Sequence, residues 1–157
     1  MTKYLSILFL FVSFSLIAQD KKMTTESFLK KPFPFEPTVK NFSSCKNPKF
    51  KLQKSIFKKH PTDTIYKFHK KRSELFINKS KDHEAFFAAI IRNKQVELRN
   101  GIHVGMEKKD VINTFTDINE LNKPILELKN DEAKLNVTFI FKRDKIKTIK
   151  IDNRNKK

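Results

Sequence analysis

Four histidines (His60, His69, His83 and His103) and one cysteine (Cys45) are the side chains best suited to holding a metal or attacking a substrate. Their spacing argues against both roles. No two histidines stand four residues apart and no His-Glu-x-x-His run occurs, so no helix face would present paired ligands. A zinc site would have to gather them across the fold with a carboxylate such as Asp63 or Glu84, whereas metal ligands usually fall in close-spaced pairs. Cys45, in Ser43-Ser44-Cys45-Lys46, has a cationic neighbour, but a nucleophilic thiol also needs a base held rigidly beside it. The irregular stretch around it is a poor scaffold for that. A single cysteine forms no internal disulfide; it bridges to a partner or serves as a small apolar side chain. With two glycines in the chain, neither a phosphate-cradling loop nor a Gly-x-Ser-x-Gly elbow is present. The expectation is a non-enzymatic chain with no catalytic, cofactor-binding or metal-binding residues.

The stronger signal is positive charge. The chain carries 34 Lys and Arg against 17 Asp and Glu. Residues 19–81 hold 17 basic and 5 acidic side chains, residues 82–157 hold 16 and 12, so the surplus lies in the first half. Such a field draws in anionic partners. Candidate anion-binding residues are Lys58 and Lys59, and Lys70, Lys71 and Arg72, the last three at an expected hairpin turn.

The beginning of the sequence sets which anions matter. Lys3 precedes an apolar run from Leu5 to Ile17 that ends at Ala18-Gln19, the three-part pattern of a cleavable secretory signal. The run falls short of the roughly 18 apolar residues that span a bilayer. Residues 1–18 are therefore expected to be removed, with cleavage near Ala18, and the product to be secreted or periplasmic. No later apolar stretch reaches spanning length. Outside the cytoplasm, anionic polysaccharide and lipid headgroups are nearer partners than nucleic acid.

The elements that would position these residues are mostly strands. Residues 19–48 read as an extended leader with at most a single helical turn from Thr24 to Leu29, because Pro32, Pro34 and Pro37 exclude a regular helix or central strand between Lys31 and Pro37. Phe28, Phe33, Phe35 and Phe42 either tuck this leader against the domain or contact a partner. A single α+β domain is expected over 49–152, mainly antiparallel β-sheet with one short helix packed on it, followed by a tail at 153–157. Thr64–His69 and Ser73–Asn78 alternate and suit a hairpin. Ala85–Ile91 is apolar on both faces, which suits a buried strand. Leu135, Val137, Phe139 and Phe141 alternate with Asn136, Thr138, Ile140 and Lys142 on one strand, Arg143-Asp144 makes the turn, and Ile146 to Ile151 returns. Ile146 is out of phase with Ile149 and Ile151, which predicts a bulge near Lys147-Thr148.

Between these strands lies the most specific stretch, Asn100-Gly101-Ile102-His103-Val104-Gly105-Met106-Glu107. Asn100-Gly101 reads as a turn and Gly105 as the lead into a helix carrying Val111, Phe115 and Ile118 on one face. Asp110 suits that helix's first turn; Glu107 stands where Ser or Thr would cap it better.

Gly101, Gly105 and Met106, then Val111 and Phe115, then three strands, resemble the helix-plus-sheet unit of the SmpA/OmlA (BamE-like) outer-membrane assembly lipoproteins. The stretch is also similar to the repeat of β-lactamase inhibitory protein. The resemblance covers about residues 98–152. It implies protein recognition without catalysis, with another envelope or secreted protein as partner. The strands before residue 98 are either a divergent first copy of the unit or an added sheet.

Overall fold

A computed structural model describes residues 22–46, 48–57, 60–119, 122–129 and 135–153. The expected signal peptide, Lys58, Lys59 and the tail from 154 lie outside the described residues.

Seven strands form one antiparallel sheet: β1 (Lys51–Phe57), β2 (His60–Lys70), β3 (Ser73–Lys79), β4 (Glu84–Ile91), β5 (Ile125–Leu128), β6 (Leu135–Lys142) and β7 (Lys145–Asn153). Their order is β1-β2-β3-β4-β7-β6-β5, two meanders joined where β4 pairs with β7. The first meander turns tightly at Lys71-Arg72, between the paired Lys70 and Ser73, with Lys71 at φ 53°. In the second, Arg143 and Asp144 take φ 52° and 54°, the left-handed pair that matches the natural twist of a two-residue hairpin.

Two bulges keep the apolar side chains on one face. In β7, Ile140 pairs with Thr148 and Phe141 with Ile146, so Lys147 is the extra residue and Ile146, Ile149 and Ile151 all point inward. This is the bulge that the phase of the isoleucines predicts. In β4, Phe76 pairs with Ala88 and Ile77 with Phe86, which leaves Phe87 as the extra residue. Phe86, Ala89 and Ile91 are consequently buried together, and a run apolar on both faces becomes a strand with one core face and one partly exposed face.

The N-terminal segment is the layer that covers this core. Thr24 and Thr38 each accept a backbone N–H three residues on, from Ser27 and Asn41 at 3.1 Å, and so cap two short helices. These are α1 (Thr25–Lys30) and α2 (Val39–Ser44), separated by the proline-rich stretch. Phe28, Leu29, Phe33 and Phe42 are all within 1 % of full burial. Their rings meet the sheet directly: Phe28 lies 6.1 Å from Phe139, Phe33 5.1 Å from Phe86 and Phe42 5.4 Å from Phe68. Polar latches fix the layer. Met23 N–H donates to Thr114 O at 2.9 Å, Thr25 donates from both N and Oγ1 to the Asp117 carboxylate, and Arg99 N–H donates to Pro32 O at 2.8 Å. The segment expected as a leader outside the core is therefore part of the domain: Phe28, Phe33 and Phe42 tuck inward, and Phe35 packs partly buried beside them.

The expected α+β class is corrected. The fold is largely β, a seven-stranded antiparallel sheet with three α-helices among the described residues, each of six residues. The third, α3 (Lys108–Asn113), stops before the expected face is complete. Thr114 Oγ1 donates back to Val111 O at 2.7 Å, a local bond that competes with helix continuation. Of the expected helix face only Val111 is in α3; Phe115 and Ile118 both lie past its end, Phe115 buried and Ile118 partly buried against the core. The two threonine caps add the other two helices, the first where the sequence allows a single helical turn at most.

Candidate functional site

The glycine-containing stretch turns out to be a clamp on the β6–β7 hairpin. Asn100 and Gly101 both take positive φ, 58° and 71°, and Gly105 takes 100°. Gly105 N–H then donates to Ile146 O at 2.9 Å, Ile146 N–H to Met106 O at 2.9 Å and Lys108 N–H to Asp144 O at 2.7 Å. Gly105 and Met106 thus fix the hairpin turn beneath α3, Val111 and Phe115 are buried in the core, and Gly101 sits in an exposed turn. None of them faces a cavity described below.

The histidines do not converge. His60 opens β2 and His69 lies near its far end, His83 sits in the β3–β4 connection, and the His103 ring pairs through Nδ1 with Gly101 O at 2.7 Å. Among the described residues no three His, Cys, Asp or Glu side chains form a group that could hold a metal ion. Burial pushes the Cys45 thiol above its ordinary value, so it is neutral near pH 7 and a weak nucleophile.

The basic turn is more than a solvated loop. Because β3 and β4 are antiparallel, the residues after β4 return to the beginning of β3. Ser73, fully buried there, accepts hydrogen bonds at Oγ from the Arg92 and Asn93 backbone N–H groups at 2.8 and 2.9 Å. This brings Arg92 and Lys94 beside Lys71 and Arg72 around a depression of about 400 Å³, with Asn93 and Val104 in its wall. Of the five expected anion-binding residues, Lys71 and Arg72 line it, Lys70 precedes the turn, and Lys58 and Lys59 lie outside the described residues. Arg92 and Lys94 were missed. Only the pairing of β3 with β4 would have placed that polar turn next to the basic one.

Two further concavities lie among the described residues. One, of about 590 Å³, is walled by Phe33, Phe35, Phe42 and Phe50, with Cys45 and Lys94 also on its lining. The other, of about 440 Å³, lies on the sheet face that no described helix covers; Ile65, Phe76, Phe87 and Ala88 floor it, with Gln53 and Lys67 beside them. Phe76 and Phe87 lie 6.0 Å apart. The Lys67 ammonium is 5.7 Å from the Phe76 ring and pairs with Glu74 at 2.6 Å.

No protein-family model, curated protein or solved structure matches the chain. Among the described residues no helix is long and apolar enough to cross a membrane.

Proposed function

We propose that this chain is an exported, non-enzymatic interaction module of the bacterial envelope, periplasmic or at the cell surface, whose partner is another envelope or secreted protein. The observation that carries this reading is the open sheet face. The N-terminal segment and α3 pack on one side of the sheet, and the other side is left with Ile65, Phe76, Phe87 and Ala88 partly exposed among Lys67, Glu74 and Gln53. A mixed apolar and charged patch on a rigid sheet suits protein recognition. Export is supported by the Lys3 to Ala18 pattern, and protein recognition also by the resemblance of residues 98–152 to the BamE-like unit.

A second reading is the binding of anionic polysaccharide or lipid headgroups, favoured by the grouping of Lys71, Arg72, Arg92 and Lys94 around one depression.

The test compares tagged residues 19–157 with a Phe76→Ser/Phe87→Ser variant on envelope extract, washed at low and then high salt. The protein-recognition reading expects a protein retained at high salt by the parent and lost by the variant. Release of everything at high salt, equally from both, would overturn it and leave the electrostatic reading in front.

A further inference from the structure

The aromatic cavity and the basic depression are neighbours that share a wall. Lys94 lines both. The chain also passes from one to the other at two places: Asn93 faces the basic side and Gln95 the aromatic side, as Val104 and His103 do. The aromatic side offers Phe33 and Phe42 as floor and Phe35 and Phe50 as partly exposed walls, with Glu97, an acidic residue that an anionic head would avoid, also on its lining. Its volume of about 590 Å³ falls in the range of roughly 300–1,000 Å³ typical of small-molecule sites. The basic side offers Lys71, Arg72, Arg92 and Lys94. There, Asn93 is 7 % exposed; its Oδ1 accepts from Gln95 N–H at 3.1 Å, while its buried Nδ2 donor has no hydrogen-bond partner. A buried amide donor without a partner is costly and marks a place where an acceptor fits.

We propose that this pair of concavities is one binding site for an anionic amphiphile, with the apolar chain against the phenylalanines and a phosphate, sulfate or carboxylate head among Lys71, Arg72, Arg92 and Lys94. Charge complementarity sets the head and the aromatic lining sets the tail. The proposal rests on the anion-binding reading above and narrows it from an electrostatic surface to a site that also reads the apolar part of its ligand. The open sheet face on the far side of the molecule is not involved.

Isothermal titration of the chain beginning at Gln19 with inorganic phosphate, hexyl phosphate and octyl phosphate tests it; every described contact lies at residue 22 or later. A buried methylene is worth about 0.8 kcal/mol, so each one taken up by the cavity should tighten binding about three- to fourfold, and octyl phosphate should bind about tenfold tighter than hexyl phosphate. Octanol should bind at least tenfold more weakly than octyl phosphate, and an Arg72→Gln/Lys94→Gln variant should lose a similar factor. Phe50→Ser should flatten the chain-length dependence, because it removes a wall of the apolar side. Equal affinity for all three phosphates would overturn the amphiphile site and leave the anion-binding reading standing, as would binding to vesicles of phosphatidylcholine and phosphatidylglycerol in equal parts without binding of octyl phosphate. Octanol binding as tightly as octyl phosphate would remove the anionic head from the proposal. Binding of none of the phosphates or vesicles would overturn both readings.

Discussion

Ser73 lies fully buried at the start of β3, where its hydroxyl oxygen accepts the backbone N–H groups of both Arg92 and Asn93. Ser73→Ala would leave them without a partner in a place water reaches poorly, and an unsatisfied buried donor costs about 1–3 kcal/mol. Urea unfolding should show a loss of about 2 kcal/mol, with an unchanged slope against denaturant. The same substitution should weaken phosphate binding, because it frees the loop that holds Arg92 and Lys94 in place. An unchanged unfolding midpoint would mean that the loop is held by its own residues. Ser73 is also a case in which residue type said little beforehand. A serine after Lys-Lys-Arg looks like part of a solvated turn, and only the return of β4 alongside β3 makes it an acceptor.

At the scale of elements, the left-handed positions separate residues chosen for backbone from those merely tolerated. Gly105 has open space where a Cβ would stand, yet its φ of 100° strains any L side chain. Gly105→Ala should therefore cost about 1–2 kcal/mol through the backbone alone. Arg143 runs the other way. It holds φ 52° at a hairpin position that favours Asn, so Arg143→Asn should stabilise by roughly 0.5–1 kcal/mol while leaving the Lys108–Asp144 pair intact. Thermal melts of both variants check the two signs together. The N-terminal layer makes a larger prediction. Phe33→Ala should cost about 3–5 kcal/mol, and a chain beginning at Lys49 should fail to fold, showing a disordered far-ultraviolet spectrum or strong binding of a hydrophobic dye. A cooperative melt from that truncated chain would mean that the sheet needs no cover.

These elements also show what was legible in the sequence. The β6–β7 hairpin, its turn and its bulge follow from alternation and a break in phase, both local signals. The N-terminal layer was not legible, because prolines say only what a segment cannot form. Four phenylalanines in such a segment are equally suited to a core and to a partner, and the choice is made by the sheet they meet. The basic turn could be read as a candidate from composition, but its partners Arg92 and Lys94 come from strand order, which no local pattern carries.

For the whole molecule, 34 basic side chains face 17 acidic ones, and the ion pairs on the described surface are mostly exposed. Lys109–Glu107, Lys129–Glu127 and Lys30–Glu26 all have partners more than 40 % accessible, and such pairs contribute little. Repulsion among the unmatched cations should therefore outweigh attraction within the pairs. Added salt screens both, with a Debye length falling from about 30 Å at 0.01 M to about 3 Å at 1 M. The expected result is a melting temperature that rises with sodium chloride; a falling one would show that the pairs dominate. Acid should act in the opposite direction to salt. The hydrogen bond and charge of Lys109 hold the Glu107 carboxyl below the usual range, and Lys129 does the same for Glu127. A carboxyl depressed in the folded state adds stability that is present above its unfolded value of about 4.3 and is lost as pH falls through the folded one. Below about pH 4 the molecule thus loses these favourable contacts while its net positive charge grows. The melting temperature should drop there more steeply at low salt than at high salt, because screening relieves the repulsion but restores neither contact. Acid melts at two salt concentrations test this: a drop no steeper at low salt than at high salt would exclude growing repulsion as its cause.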